Sequence, residues 1–219
     1  LDRRMVNLSP REFVREVLLE RCGMRELVIG FDHGFGRGRS GDVDTLRALG
    51  TEFGFAVDVV GAVDVGGQQV SSSRIRRAVA GGDLRLAARL LGRPYTVSGQ
   101  VARGAQRGRT IGVPTINLAD VPPQKLLPPD GVYAVRVEWR DGRAGGMMNQ
   151  GPRPTVGDGR RTLEAHLFDV DADLYGERVR IEWVERIRDV RRFASIDELK
   201  AQLARDGTEA RAILAASGT

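Results

Sequence analysis

The apolar pattern changes period near residue 93, and that change divides the chain into two kinds of structure. From residue 94 to 186, YTVSGQV, GVYAVRVEW, TLEAHLF and RVRIEWV alternate at period two, as strands with one covered face do. In the second of these, Tyr133, Val135, Val137 and Trp139 share one face, and Arg136 and Glu138 the other. Asp141-Gly142 is a tight hairpin signal. Several short strands at near-regular spacing predict a small antiparallel barrel. FASIDELKAQLARDG then predicts a closing helix. Ser195 and Glu198 form its capping box, and Ile196, Leu199 and Leu203 its apolar stripe.

Residues 1–92 alternate helix and strand patterns instead. SPREFVREVLLERCG opens with Ser9 as N-cap, Pro10 at the first helical position and Glu12 completing a capping box. Phe13, Val14, Val17, Leu18 and Cys22 recur at helical spacing, and Gly23 ends the run. ELVIG reads as a short buried strand, DVDTLRALGTEFG as a helix and FAVDVVG as another strand. Ser71 to Ala80 and Asp83 to Leu91 read as two short helices split by Gly81-Gly82. This β-α-β order predicts a parallel, Rossmann-like sheet. The expected division is 1–92 and 93–219, with the boundary near Gly92-Arg93-Pro94.

Composition removes several classes of function. With 219 residues, the chain is long enough for one large or two modest domains. Cys22 is the only cysteine, and His33 and His166 are the only histidines. Intrachain disulfides, zinc clusters and multi-histidine metal sites are therefore excluded, and a cytoplasmic setting is expected. There is no apolar run long enough for a membrane helix and no signal segment at the start. Leu1 in place of methionine suggests a fragment or a processed chain. The formal charge of +5 comes almost wholly from arginine. Arginine and acidic residues alternate, which speaks against a nucleic-acid tail.

Three stretches carry candidate chemistry. In GAQRGRTIGVPTIN, Gly104, Gly108 and Gly112 recur every fourth residue, and bare backbone N–H groups suit phosphate. The P-loop lysine is missing. Thr115 and Asn117 point the same way on an extended segment, a hard-oxygen pair suited to Mg²⁺ held mainly by ATP. A tight turn with self-satisfied side chains is the competing reading. Gly36, Gly38 and Gly41 match G-x-G-x-x-G, but Gly30 to Phe35 separate them from the preceding strand, against a dinucleotide site. Ser71, Ser72 and Ser73 open a helix carrying Arg74, Arg76 and Arg77. Three hydroxyls exceed what a cap needs, which points to phosphate.

The run GxxxGxxxGxPTxN, followed in order by DGVYAV, NQGPRPTV, LEAHLFD and DLYGERVRIEWVERIRDVRRFAS, resembles the riboflavin kinase family over residues 93–206. That resemblance implies a six-stranded Greek-key barrel with a C-terminal helix. It implies Gly104, Gly108, Gly112 and Thr115 as ATP-binding, Thr115 and Asn117 as the Mg²⁺ ligands, and Glu164 as the catalytic base. Leu163, Ala165 and Leu167 take the apolar face of that strand, leaving Glu164 and His166 opposite. Gln150 departs from the family pattern, which expects a small or branched apolar residue there. VSSSRIRR resembles the nucleotidyltransferase signature of FMN adenylyltransferases, implying that Ser72, Ser73 and Arg76 grip ATP phosphates. GFDHGFGRGRSGD resembles their flavin-proximal loop, with Asp32, Phe35, Gly36, Arg39 and Gly41 in place and His33 and Gly34 departing.

Together the halves resemble the prokaryotic bifunctional riboflavin kinase/FAD synthetases. The implied substrates are riboflavin, FMN and ATP, with no nucleic acid and no membrane; the sequence does not give the oligomeric state. Nothing here resembles that family's N-terminal His-x-Gly-His-like motif, so the chain is expected to make FMN and little or no FAD. The rivals are a non-catalytic nucleic-acid-binding barrel and an NAD-dependent oxidoreductase.

Overall fold

The computed structural model describes residues 5, 7–104, 108, 111–152 and 161–217. The chain forms two compact units, Leu1–Val70 and Ser71–Thr219.

In the first unit, Ser9 and Glu12 cap helix α1 reciprocally, and the Ser9 N–H donates to the Glu12 carboxylate at 2.8 Å. Helix α1 begins as Pro10–Glu12 and continues, more widely wound, as Phe13–Arg21. Cys22 N–H accordingly reaches back five residues to the Val17 carbonyl. The wide winding brings Val14, Leu18 and Leu19 onto the core and leaves Cys22 exposed, off its expected stripe. Strands β1 (Glu26–Gly30) and β2 (Ala56–Val60) pair in parallel, as the β-α-β order predicts. Between them lies α2 (Val43–Phe53), capped by Asp42 and ended by Gly54 in the left-handed region. Leu27, Ile29, Val57 and Val59 face α1 and α2, whereas Val28 and Val60 are 62% and 53% exposed. ELVIG is therefore covered on one face only, not a fully buried strand.

The second unit opens with α3 (Ser72–Ala80) and α4 (Leu84–Leu91). Six antiparallel strands follow: β3 (Thr96–Ala102), β4 (Ile116–Ala119), β5 (Gly131–Trp139), β6 (Gly142–Pro152), β7 (Arg161–Leu167) and β8 (Arg178–Arg188). They close into a barrel in the order β3-β4-β7-β6-β5-β8. Its interior is filled from the faces that the alternation predicts, including Tyr133, Val135, Val137, Leu163, Ala165 and Leu167. The β5–β6 turn falls at Arg140-Asp141, because Trp139 pairs with Gly142. Gly142 is needed beneath the Trp139 ring, where a Cβ would lie 2.7 Å from the ring. Gln150 is fully buried and donates to the carbonyls of Pro128 (2.6 Å) and Pro129 (3.1 Å), tying down that turn.

Helix α5 (Ile196–Ala216) packs on the outside of the barrel. Leu203, Ala210, Ile213 and Leu214 meet Ala134, Met147 and Phe168. Ile196 is 62% exposed and plays no part in that seam. Asp206, with no exposure, sits in it instead and accepts from Arg188 of β8 at 2.6–3.1 Å and from Gln202 at 2.6 Å. The cap is shifted too: Ser195 accepts from Glu198 N–H, while the Glu198 carboxylate accepts from Ala194.

Candidate active site

Strand register assembles a polar row that spacing alone does not reveal. Asn117 of β4 is the direct partner of Glu164 of β7, whose other neighbour is Asn149 of β6. Directly paired residues carry their Cβ atoms about 5 Å apart on the same face. Leu163 and Ala165 point inward, 3% and 0% exposed, so the row Asn117–Glu164–Asn149 lies on the barrel's outer surface. Glu164 and Asn117 are half-buried and Asn149 is exposed. No described residue forms a hydrogen bond or ion pair with the Glu164 carboxylate.

The same register, continued one step, sets Thr115 beside His166. His166 Nδ1 lies 2.7 Å from the Pro114 carbonyl, a contact that requires the proton on Nδ1. The ring meets Phe168 edge-on at 5.8 Å. Pro114 and His166 therefore fix the entry of β4 and the direction of Thr115. Gly104 is needed for contact: a Cβ there would stand 2.2 Å from Asn117 Nδ2. Gly108 is needed likewise, since its Cβ would meet the Val113 carbonyl at 2.1 Å. Val113 N–H closes back on the Gly108 carbonyl at 2.8 Å, and Gly112 adopts φ 81°. Residues 105–107, 109 and 110, the rest of the glycine loop, lie outside the described residues.

Among the described residues no cluster of three His, Cys, Asp or Glu could hold a metal. A cation held without such a cluster needs neutral oxygens together with an anionic ligand. The Thr115 hydroxyl and Asn117 amide oxygen supply such a set, and the Gly104 cradle holds the amide in place. This donor set fits Mg²⁺, which keeps most of its shell as water and phosphate oxygens.

Beside Thr115 opens a cleft walled by Val101, Ile116, Leu167, Val170, Leu174 and Tyr175. Arg103 lies over the Tyr175 ring at 4.9 Å. Pro114, Thr115 and Asp173 line it too, so its wall is part polar and part apolar.

The candidates of the first half divide between the two units. Ser71 spends its hydroxyl capping α3, accepting from Arg74 N–H at 3.2 Å, which leaves Ser72 and Ser73 exposed at the helix start with Arg76 one turn on. In the first unit, Phe35 packs between Phe13 (6.1 Å) and His33 (6.0 Å). Gly41 allows that ring to approach, since its Cβ would lie 2.3 Å from it. Asp32 is exposed, and Arg39 ends the short helical turn Arg37–Arg39. Gly36 and Gly38 have φ 70° and 64°, so this G-x-G-x-x-G serves a turn that precedes α2.

The riboflavin kinase family matches residues 91–214, more than half of the chain. The chain belongs to the riboflavin kinase family. The FAD synthetase family matches residues 1–74 of this riboflavin kinase chain. It is 42% identical over 212 residues to a bifunctional riboflavin kinase/FMN adenylyltransferase of Escherichia coli K12, covering 96% of this chain and 67% of that protein. A protein of the same description from Pseudomonas fluorescens is 39% identical, with 99% and 69% covered. A crystal structure described as a macrolide-efflux protein from Streptococcus pneumoniae superposes with a TM-score of 0.82 at 34% identity, with 96% and 67% covered. No described helix here is long and apolar enough to cross a membrane. The riboflavin kinase chain thus spans about two thirds of these relatives. Sequence reasoning did not single out Asn149, the Pro114–His166 contact or the 170–175 wall; only the register across β6 and β7 brings Asn149 to Glu164, and only folding brings His166 to Pro114 and residues 170–175 to Thr115.

Proposed function

We propose that Glu164 is the general base of the riboflavin kinase reaction and that Thr115 and Asn117 hold Mg²⁺ and phosphate oxygens of ATP beside it. The direct pairing of Asn117 with Glu164 carries this reading. A carboxylate without a hydrogen-bond partner among the described residues is available to a substrate hydroxyl. In the reaction the 5′-oxygen of riboflavin bonds to the γ-phosphorus, the bond from that phosphorus to the β,γ-bridging oxygen breaks, and ADP leaves. Glu164 takes the hydroxyl proton. The cation, when bound, neutralises charge on the phosphates. Asn117 and Asn149 flank Glu164 on the barrel face, one from each neighbouring strand. The cleft beside Thr115 offers the nucleoside the apolar side chains of Val101, Leu167, Val170 and Leu174.

The adenylyl-transfer half of the reading assigns Ser72, Ser73 and Arg76 to ATP phosphates and Asp32, Phe35 and Arg39 to the flavin side. Two exposed hydroxyls beyond the cap at the start of α3 support the first set. Residues 1–92 would serve this chemistry and 93–219 the kinase, in a cytoplasmic enzyme. The nucleic-acid-binding alternative is not favoured by the family match.

The experiment incubates the chain with riboflavin, ATP and Mg²⁺ and separates flavins by chromatography. Glu164→Gln should lower FMN formation by about 10²–10⁴-fold, the range of one general base, with riboflavin affinity nearly unchanged. Equal loss of binding and turnover would make Glu164 structural.

A further inference from the structure

A second pocket in the barrel unit carries positive charge that no described carboxylate pairs with. Ile75, Arg76 and Val79 of α3 form one wall, Tyr95 the floor, and Pro122, Gln124, Lys125 and Leu126 the other wall, enclosing about 370 Å³. Tyr95 is fixed in place: its hydroxyl donates to the Leu126 carbonyl at 2.6 Å and its ring stacks on Trp183 at 5.8 Å. Lys125 Nζ lies 4.1 Å from the Tyr95 ring centroid. No described carboxylate forms an ion pair with Lys125, Arg76 or Arg93. Burial, and then the charge of Arg93, hold the Lys125 ammonium below its ordinary pKa. A partly desolvated ammonium beside another cation is unfavourable by itself, and an anion placed there relieves it.

We propose that this pocket binds an organic phosphate, its anionic end between Lys125 and Arg76 and its apolar body against Tyr95, Ile75 and Val79. Ile75 and Val79 and the Tyr95 edge suit an apolar body, and charge-assisted contacts fix the phosphate. The pocket is separate from the polar row at Glu164 and needs nothing from the kinase chemistry. It extends the reading of Arg76 as a phosphate residue by adding a partner, Lys125, from the barrel.

Lys125 and Lys200 are the only lysines, so each chain contains its own control. The full chain is treated with pyridoxal 5′-phosphate, reduced with borohydride and mapped by mass spectrometry. Lys125 should be labelled roughly 10- to 100-fold faster than exposed Lys200, the gain expected of charge-assisted phosphate contacts. Pyridoxal, which lacks the phosphate, should show much less preference; this control removes any effect of the lysine's own reactivity. Arg76→Gln should cut the preference by about tenfold. Protection of Lys125 by FMN alone would assign a flavin phosphate, by ATP alone a nucleotide, and by both together with inorganic phosphate a general phosphate site. Equal labelling of the two lysines, or a Lys125 preference as strong with pyridoxal, overturns the proposal. The kinase assay on the same sample shows separately whether the Glu164 reading stands.

Discussion

Replacing Gly104 with alanine puts a methyl group where the amide of Asn117 now lies. An ideal Cβ would stand 2.2 Å from Asn117 Nδ2 and 2.6 Å from its Cγ. Non-bonded contacts settle at about 3.5 Å, so the amide has to retreat by about 1 Å. Gly104 is not among the positive-φ residues, so its backbone accepts alanine and the effect is one of space. Misplacing a positioning group by about 1 Å costs about 100-fold in rate, or about 2.7 kcal/mol of barrier. Asn117 lies on the outer face, so the barrel core should be intact and the melting temperature nearly unchanged. Gly112→Ala is the control of opposite kind. At φ 81° with nothing within 4 Å of its Cβ, it costs about 1–2 kcal/mol of backbone strain without displacing Asn117. The assay measures kcat and the KM for ATP from FMN formation. Gly104→Ala turning over within twofold of wild type, with unchanged KM, would refute the claim that Asn117 positions the nucleotide.

Three further outcomes are expected. His166→Leu removes the donor to Pro114 and should raise the KM for ATP about five- to tenfold, while His166→Asn, which keeps an N–H at similar reach, stays near wild type; identical kinetics for both variants would separate His166 from the loop. Asp206→Asn leaves Arg188 without its carboxylate in the α5 seam and should cost about 3–5 kcal/mol in urea unfolding, and a loss under about 1 kcal/mol would count against a structural ion pair. The hydrogen bonds from Arg211 hold the Asp169 carboxyl below its ordinary pKa, so the stability they add is present above the unfolded-state pKa and lost as pH falls through the folded one. Arg211→Gln should move the Asp169 titration upward in NMR, and an unmoved midpoint would refute that cause.

Patterns governed by a single strand or cap were legible in the sequence. The alternation in GVYAVRVEW placed Tyr133, Val135 and Val137 inside because period two is a local property of extended chain. Ser9 with Glu12 marked a helix start for the same local reason. Winding and register were not legible. Cys22 left its stripe because α1 winds wider than 3.6 residues per turn. Ile196 matched the helical spacing yet faces solvent, because the barrel surface under α5 begins only near Leu203. Asp206 took a buried place no hydrophobic pattern could assign, since its partner Arg188 lies on another element. Gln150, a departure in sequence, is explained by two proline carbonyls that only folding brings to it. At the candidate site, Thr115, Asn117 and Glu164 were each readable as residue types, whereas their adjacency, and the presence of Asn149, are facts of cross-strand pairing.

The barrel closes by hydrogen-bonding its first strand to its last, Thr96 opposite Glu182. During synthesis on the ribosome, β3 must therefore wait without that partner until some eighty further residues have left the exit tunnel. Closure spanning so long a loop is slow and all-or-none. The β1–β2 pair, whose partners are only thirty residues apart, can form much sooner. A nascent chain stalled before β8 would thus present β3 with one side unzipped, making this the stage at which a chaperone has most to protect.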